Sequence, residues 1–479
     1  MHEEYNDCVD MRSALLISTY EMGRQPFGMA SAAAWLRAEG WTVDSVDAAK
    51  EKLRIERLHG PDLIAFHLPM HTATRLAGPV ITAARRVNRA ARICAFGLYA
   101  PLNADWLRSL GVDEIFGGEF EEDLAAWANG AETDRKKPQS MQSPQSKYFS
   151  AISAVSPVFS DRRPLPRIHF LVPDRRGLPP LSKYATLQMP DGERRPVGYT
   201  EASRGCKHLC RHCPVVPVYE GQFRIVQPDV VLADALAQVA AGARHMTFGD
   251  PDFFNGPTHA MRVVDALHAA HPGVSYDVTI KVEHLLQHRG LVPRLAATGC
   301  AFVTSAIESV DDRVLGLLEK GHTRAGFLEA VALCREAGVT LVPTFVAFHP
   351  WLTLESYCDL LDTIHALDLV DHVSPIQLAI RLLVPQGSRL LELDEMRAHT
   401  GAFDAETLTY RWTHPDPRVD ELQHDVMTLV GTRLTADRRQ VFDEVRAIAH
   451  ERAGLPYAPD TRPARARATV PYLNEPWYC

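Results

Sequence analysis

Short apolar segments alternate with amphipathic segments over the first 130 residues of the chain. Between the apolar segments, apolar residues recur at the spacing of a helix face. Strands that are apolar on both faces and separated by helices are typical of a parallel sheet. The pattern therefore predicts an α/β domain with a doubly wound parallel sheet over residues 11–130. The segments that predict its strands are 14–18, 42–46, 63–66, 92–96 and 114–116.

A second alternation begins near residue 196 and contains six units, each an apolar segment followed by a helical pattern. Six consecutive β/α units predict a partial (β/α)6 barrel, and by analogy with complete barrels its chemistry belongs at the carboxyl ends of the strands. After residue 396 the periodicity predicts two amphipathic helices and hence a small, mainly helical region. The predicted barrel strands are 197–202, 245–248, 275–280, 301–306, 340–347 and 373–378.

The stretch between the two alternating regions has a different composition. Residues 131–165 are rich in Ser, Pro, Gln and Lys, which is typical of a flexible linker. The sequence thus predicts five segments, with the Cys-terminated tail in the last. They are the N-terminal sheet domain (11–130), the linker (131–165), a bridging segment (166–195), the barrel (196–395) and the helical extension (396–479).

Composition narrows the class of protein. The chain of 479 residues is 46% hydrophobic and 23% charged, with a net charge of −8 and no long basic run, so we expect no nucleic-acid partner. No apolar segment approaches the roughly 18 residues that would predict a membrane span, and the polar N-terminus is not a signal peptide. These features predict a cytoplasmic protein without a membrane partner.

The candidate chemistry lies in one short segment that directly follows a predicted strand. Cys206, Cys210 and Cys213 are spaced C-x3-C-x2-C, and thiolates are soft ligands suited to iron–sulfur clusters or zinc. A four-iron cluster usually has four cysteine ligands, so three leave one iron free to bind a molecule that is not protein. The alternative is a zinc site in which His208 or His212 supplies the fourth ligand.

The cysteine spacing and the β/α units downstream resemble the radical S-adenosylmethionine (SAM) superfamily. The resemblance implies a [4Fe–4S] cluster whose open iron binds SAM. It also implies that one electron, from a donor such as flavodoxin or ferredoxin, cleaves SAM to methionine and a 5′-deoxyadenosyl radical. That radical takes hydrogen from an unreactive carbon of a small-molecule substrate.

The resemblance also implies roles for single residues. His212 occupies the position before the last cysteine, which contacts adenine. Gly249 and Asp250 follow the second barrel strand, where the SAM amino group binds, and Glu308 follows the fourth, where the ribose hydroxyls bind. Lys281 is a candidate partner for the SAM carboxylate. Carboxylates accept hydrogen bonds from ammonium and hydroxyl groups, in agreement with these roles.

Two further residues are candidate catalytic groups. His349, in a His-Pro-Trp stretch, follows the fifth strand, where it could donate a proton to a substrate. Cys479 ends the chain in Glu-Pro-Trp-Tyr-Cys. This ending, with Gly-Asp-Pro-Asp-Phe and His-Pro-Trp, resembles the radical SAM proteins named for a Cys-Cys-Ala-Glu-Pro or Cys-Sec-Ala-Glu-Pro tail. We therefore hypothesise that the reading frame stops at a selenocysteine codon; the alternative is a mobile end that finishes in Cys.

The N-terminal domain resembles the cobalamin-binding domain found ahead of many radical SAM enzymes, and residues 172–181 resemble the segment that bridges the two. The chain lacks the D-x-H-x-x-G motif whose histidine ligates cobalt. Relatives without it either bind cobalamin or have lost it, so the sequence leaves cobalamin open. The implied outcome is methyl transfer or another carbon–heteroatom bond formation. The alternatives are transfer of the SAM aminocarboxypropyl group to a soft acceptor, or a non-catalytic cobalamin or redox sensor.

Overall fold

A computed structural model describes residues 12–131, 168–433, 436–460 and 469–474. The N-terminal domain is a five-stranded sheet in the order β2-β1-β3-β4-β5, and every strand pair in it is parallel. Its elements are β1 (Ser13–Ser18), α1 (Phe27–Ala38), β2 (Thr42–Asp47), β3 (Leu63–His67), α2 (His71–Val87), β4 (Arg92–Phe96), α3 (Ala104–Ser109), β5 (Glu114–Phe116) and α4 (Glu121–Ala128).

This sheet is buried on both faces, which explains why its strands are apolar at consecutive positions. Alternate residues of β1 point to opposite sides, so that Leu16 packs against α1 and Leu15 packs toward α2. The doubly wound parallel sheet predicted from the alternation is confirmed.

The second half of the chain contains the larger sheet. Its elements are β6 (Thr186–Gln188), β7 (Arg194–Thr200), β8 (Ser203–Gly205), α5 (Val216–Tyr219), β9 (Phe223–Ile225), α6 (Pro228–Ala240), β10 (His245–Phe248), α7 (Pro257–Ala270), β11 (Ser275–Thr279), α8 (Val282–Gln287), α9 (Val292–Ala297), β12 (Cys300–Glu308), α10 (Asp312–Leu317), α11 (Arg324–Glu336), β13 (Thr340–Phe345) and α12 (Leu354–Ala366).

The helical extension packs against the barrel. Its elements are α13 (Asp394–His399), the antiparallel pair β14 (Thr400–Asp404) and β15 (Thr409–Trp412), α14 (Pro417–Thr432), α15 (Arg438–Ala453) and β16 (Tyr472–Leu473). One large apolar core joins the outer face of the barrel sheet, its helices, and buried residues of α14 and α15 such as Leu422 and Val445.

The larger sheet is a curled half-barrel of seven strands in the order β13-β12-β11-β10-β7-β6-β16. Strands β7 and β10 to β13 are parallel, whereas β6 runs antiparallel to β7 and β16 runs antiparallel to β6. The bridging segment and the C-terminal extension thus each add a strand to the barrel sheet. The predicted α/β fold, a parallel sheet followed by a partial barrel and helices, is confirmed.

The sixth barrel strand is not where the periodicity places it. The stretch predicted as a strand forms short 3-10 turns at Val370–His372 and Pro375–Leu378. Pro375 has no N–H to donate to a strand ladder. The sixth unit is reduced to a parallel bridge between Phe348 and Arg381.

Two predicted segments lie mostly or wholly outside the described residues, namely the linker at 131–165 and the chain end with Cys479. Within the described ranges, no helix combines the length and the apolar character needed to cross a bilayer.

Candidate functional site

The cysteine loop, residues 201–213, follows the carboxyl end of β7. Cys206 and Cys210 are buried, Cys213 is half-buried, and all three are free thiols. Burial, with a smaller contribution from the neighbouring thiols, raises the pKa of Cys206 to about 11 and that of Cys213 to about 12. Three thiols close together on one loop, two of them buried and one half-buried, fit the donor set of a metal cluster, which binds thiolates.

The N-terminal domain holds one side of this loop. The Arg204 guanidinium lies 2.5 Å from Glu121 Oε1 in α4 and 2.9 Å from Glu201 Oε2. Glu121 is fully buried and also accepts a hydrogen bond from Ser31 Oγ at 2.7 Å. Because a buried charge needs both a partner and hydrogen bonds, this network fixes the loop relative to the first sheet.

Two segments of the barrel hold the other side of the loop. Arg211 donates from its backbone to Leu318 O at 3.0 Å and from Nη1 to Leu317 O at 2.8 Å. Arg389 Nη1 donates to Leu209 O at 2.6 Å. Arg389 follows the Pro385-Gln386-Gly387 turn, so the cysteine loop is covered by a part of the chain far from it in sequence.

Residues predicted to contact the nucleoside of SAM lie together beside the loop. His212 Nε2 is 3.0 Å from Glu308 Oε1, and Lys320 Nζ donates to the same oxygen at 3.3 Å. Burial raises the pKa of Glu308, but the charges and hydrogen bonds of Lys320 and His212 outweigh it, and the pKa falls to about 2. Glu308 is therefore ionised, and both contacts fall on one of its two oxygens.

The backbone at Glu308 is unusual for a residue with a side chain. Its φ is 70°, in the left-handed region, and the pairing of β12 with β13 shifts register between Ala306 and Glu308. Such conformations cost of order 1–3 kcal/mol and are kept where the surroundings enforce them, often at functional sites. The irregularity ends β12 beside the cysteine loop.

Asp250, predicted to meet the SAM amino group, is bonded to the start of the cysteine loop. Its carboxylate is buried, accepts from the Ala202 N–H at 2.9 Å, and accepts from Ser203 Oγ at 2.5 Å. Burial raises the pKa of Asp250 to about 6 despite these bonds. Asp250 thus holds the start of the cysteine loop, and Gly249 beside it has no room for a side chain because a Cβ there would lie 1.8 Å from the Tyr199 hydroxyl.

The other candidate residues are scattered. Lys281 is buried, 3.5 Å from Glu283, and its charge opposes the rise in the pKa of Cys206. His349 is buried against Trp351, and burial together with the His414 charge lowers the pKa of His349 to about 3. The structure does not bring His349 among the residues that line the barrel cavity described next.

The barrel encloses a cavity of about 1020 Å³. Complete barrels are filled by branched apolar residues, but this lumen is lined by polar side chains on successive strands. The strand residues of this polar lining include Thr247, Asp277, Thr279, Thr304 and Thr344. The cavity reaches Gly249 at the carboxyl edge of the sheet and also Arg24 in the β1–α1 loop of the N-terminal domain.

Sequence reasoning missed Lys320, Arg204 and Glu121. Lys320 is 3% exposed, but it lies in a turn between two helices, where a lysine is ordinarily on the surface. The adjacent Glu319 and Gly321, both with positive φ, form a tight turn, and the Lys-Gly pair was the only local signal. Arg204 and Glu121 are far apart along the chain, and no periodic pattern links them.

Residues 200–367 match the family model described as the radical SAM superfamily. This part of the chain, which contains the three cysteines and Glu308, is therefore a radical SAM domain, a type of domain whose enzymes use a [4Fe–4S] cluster and SAM. The match covers β10 to β13 of the barrel sheet but does not test the tail group or the roles assigned to single residues.

Curated relatives share this region. The chain is 24% identical over 272 residues to a tRNA-2-methylthio-N(6)-dimethylallyladenosine synthase of Desulfosudis oleivorans, covering 53% of this chain and 56% of the relative. It is 31% identical over 140 residues to the enzyme of that name from Chlorobaculum tepidum, covering 28% and 31%. The chain thus spans about half or less of the length of the curated relatives it matches.

Two solved structures resemble nearly the whole chain. The cobalamin-dependent SAM radical enzyme OxsB, with aqua-cobalamin and SAM bound, superposes with a TM-score of 0.67 at 13% identity, covering 92% of this chain and 72% of its own. The radical SAM methyltransferase TsrM from Kitasatospora setae gives 0.61 at 16% identity, covering 87% and 88%. At such identities the likeness shows a shared fold.

The edge of the first sheet does not offer a cobalt ligand. His67 is buried with Nδ1 3.3 Å from Glu21 Oε2, and a Cβ on Gly28 would lie 2.3 Å from its Nε2. His71 Nε2 is 2.6 Å from Thr407 O. Both histidines that flank the carboxyl end of β3 are thus occupied, and Leu98 packs directly on the cysteine loop. The residues at this edge do not fit a histidine-ligated cobalamin, and we derive no step through that group.

Proposed function

We propose that this chain is a radical SAM enzyme that functionalises an unreactive carbon of a small polar molecule. The observation that carries the proposal is that Cys206, Cys210 and Cys213 lie on one loop, the first two buried and the third half-buried, with the ionised Glu308 beside them. A [4Fe–4S] cluster bound there supplies the electron that cleaves SAM to methionine and a 5′-deoxyadenosyl radical.

The chain's own residues bind and orient SAM in this proposal. Glu308 is held through Oε1 by His212 and Lys320, so its second oxygen accepts the ribose hydroxyls. His212 lies at the adenine side, and Lys281 neutralises the SAM carboxylate. Gly249 presents its backbone carbonyl to the amino group. Asp250 is the acidic partner of that amino group: each of its oxygens accepts one hydrogen bond, from the Ala202 N–H or from Ser203 Oγ, and keeps a further lone pair.

The substrate in this proposal enters the barrel cavity. The threonines and Asp277 that line it favour a molecule with several hydrogen-bonding groups. The curated relatives are named for a tRNA modification, but this chain has a net charge of −8, which disfavours a polyanion. An oxygen-sensitive cluster and a donor such as flavodoxin or ferredoxin place the proposed reaction in the cytoplasm.

The test is to reconstitute the protein anaerobically, add SAM and dithionite, and quantify the nucleoside products by liquid chromatography and mass spectrometry. The proposal expects 5′-deoxyadenosine from the wild type and none from a Cys206, Cys210 and Cys213 triple Ala variant. Cys334→Ala, a buried core cysteine outside the loop, is the matched control and should retain activity. Wild-type protein that binds one zinc and no iron would overturn the proposal.

The same experiment separates the reaction branches. Methylthioadenosine in place of 5′-deoxyadenosine would indicate aminocarboxypropyl transfer from SAM. A cluster that is reduced without consuming SAM would indicate a redox sensor. Methyl transfer through cobalamin, suggested by the names of the structural neighbours, requires that the purified protein retain added cobalamin. Spectra of that complex should show no histidine nitrogen on cobalt.

A further inference from the structure

Four polar side chains form a connected row beneath the cysteine loop. Asp252 Oδ2 lies 2.6 Å from His284 Nδ1, and His284 Nε2 lies 3.3 Å from His208 Nε2. His208 Nδ1 in turn lies 3.5 Å from Glu283 Oε2. Exposure of the side chains rises along the row, from 0% at Asp252 and 1% at His284 to 14% at His208 and 41% at Glu283. The row runs from the protein interior to the surface.

The inner end of this row lies next to a cluster ligand. Ligand atoms of Cys206, His208 and Asp252 all lie within 4.8 Å of one another. The Asp252 carboxylate is therefore a buried charge close to the sulfur of Cys206. None of the roles proposed above for SAM binding uses Asp252, His284 or His208.

The protonation of the ring nitrogens decides which contacts in the row can be hydrogen bonds. An ionised carboxylate only accepts, so His284 Nδ1 must carry a proton and donate to Asp252. Two imidazole nitrogens 3.3 Å apart can bond only if one of them is protonated and the other is not. His208 Nε2 lies 3.3 Å from His284 Nε2 and 3.5 Å from Asp252 Oδ2, so when neutral and protonated there it faces both groups, and His208 Nδ1 faces Glu283. His284 thus orients the Asp252 carboxylate, and His208 orients His284.

We infer that the Asp252 carboxylate, positioned by His284 and His208, sets the reduction potential of the cluster bound at Cys206. The inference rests on the proposed function. A negative charge close to the cluster opposes the arrival of an electron, and interactions between charges are strong where water is excluded. Asp252 would thus make the cluster harder to reduce, and the hydrogen bond from His284 would partly offset this effect by drawing charge from the carboxylate.

A mononuclear metal site at Cys206, His208 and Asp252 is the competing use of the same groups. It would remove Cys206 from the three-cysteine set and leave only Cys210 and Cys213 for a cluster. It would also turn Asp252 and His208 into direct ligands, with His284 supporting Asp252 from outside. The two uses predict different results when Asp252 is removed. Metal is lost if Asp252 is a ligand, and the iron content of the cluster is unchanged if it is not.

The test is a redox titration of the reconstituted protein followed by EPR of the reduced cluster, with iron and sulfide measured on each sample. Asp252→Asn keeps the shape and removes the charge. We expect it to raise the ratio of reduced to oxidised cluster at a fixed potential at least tenfold, which for one electron is about 59 mV. His284→Ala removes the imidazole that contacts the Asp252 carboxylate, and we expect it to shift the reduction potential of the cluster in the opposite direction.

His288→Ala is the matched control, because its ring neighbours His284 at 5.9 Å but lies outside the row. It should leave the potential unchanged. Opposite shifts in the first two variants, at full iron content, support the inference, because general loosening of the loop would move both the same way. Equal potentials, or shifts of one sign, would overturn it, as would loss of a separate metal from Asp252→Asn with the cluster unaffected. A wild type that assembles no cluster would refute the proposed function instead.

Discussion

At the residue scale, carboxylates near the cysteine loop acquire their roles from the donors around them. Asp250 and Glu308 both follow barrel strands and are both buried, yet their pKa values move in opposite directions. Burial dominates at Asp250, whereas the cations Lys320 and His212 overcome it at Glu308. The resemblance to the radical SAM superfamily identified both as candidates because of their positions after barrel strands. It could not tell them apart, because Lys320 reaches Glu308 only through the folded chain.

Glu308→Gln should weaken SAM binding. The amide keeps the size of the side chain but removes the charge that binds Lys320 and His212, and a hydrogen bond to a charged group is worth about 1.5–3 kcal/mol. We expect the dissociation constant for SAM, measured by equilibrium dialysis on the reconstituted protein, to rise about 10- to 100-fold. Glu336→Gln, at an exposed helix end, should bind SAM like the wild type, and equal binding by both variants would contradict the ribose role.

Asp250→Asn should change how stability depends on pH. The carboxyl pKa is raised from 3.8 to about 6 on folding, so the folded state holds the proton more tightly. The stability this contributes is complete below pH 3.8 and lost as pH rises through about 6, by up to about 3 kcal/mol. Asn can accept from Ala202 and donate to Ser203 without this loss. The urea denaturation midpoint of the variant should therefore rise relative to that of the wild type as pH goes from 4.5 to 7.5. A difference between the two midpoints that does not change with pH would contradict the assignment.

At the scale of elements, the long strands and helices could be predicted, whereas the short strands at the edge of the barrel sheet could not. The strands of the first sheet match predicted segments closely because an apolar run buried on both faces has few alternatives. β6 and β16 have three and two residues, too few to show any period. The prediction of a sixth barrel strand was wrong. Its apolar residues fit a strand pattern, but Pro375 has no N–H to donate to a neighbouring strand.

Arg438→Ala should loosen β16, the edge strand of the barrel sheet. Arg438 lies over the Tyr472 ring at 4.5 Å and donates to Asp371 O at 2.8 Å, so it ties α15 to β16. We expect the Asn474 amide, bonded to Thr186 O, to exchange with deuterium about tenfold faster, equivalent to about 1.4 kcal/mol.

The control for this prediction lies on the same helix. Arg446→Ala removes an arginine that bonds Asp362 instead of the strand. It should leave exchange at β16 unaltered. If both variants speed exchange equally, loss of helix packing would be the cause.

At the scale of the whole molecule, the order of domains could be predicted and their interface could not. Alternating strands and helices predicted both units, and the cysteine spacing indicated which one carries the chemistry. Their contact depends on buried ion pairs, Arg204 with Glu121 and Arg224 with Glu119. Such pairs follow from three-dimensional proximity, and exposed charges of the same types are common throughout the sequence.

Glu121→Gln should destabilise the docked domains. Removing one partner of a buried pair costs about 3–5 kcal/mol because the other charge stays buried. We expect the variant to bind less iron after reconstitution and to be cleaved faster by protease between the domains. Combining Glu121→Leu with Arg204→Met and Glu201→Gln removes all three charges of the network and should restore protease resistance; continued cleavage would mean that the network does not hold the domains.

The arrangement around the cysteine loop also bears on how the protein matures. Cys206 and Cys210 are buried, and the loop that carries them is held by Arg389 from one side and by Glu121 from the other. Both of these contacts form only when distant parts of the chain come together. We therefore expect iron and sulfide to be inserted before the last segments dock, so that an assembly factor meets an open, partly folded chain and the finished protein exchanges its metal slowly.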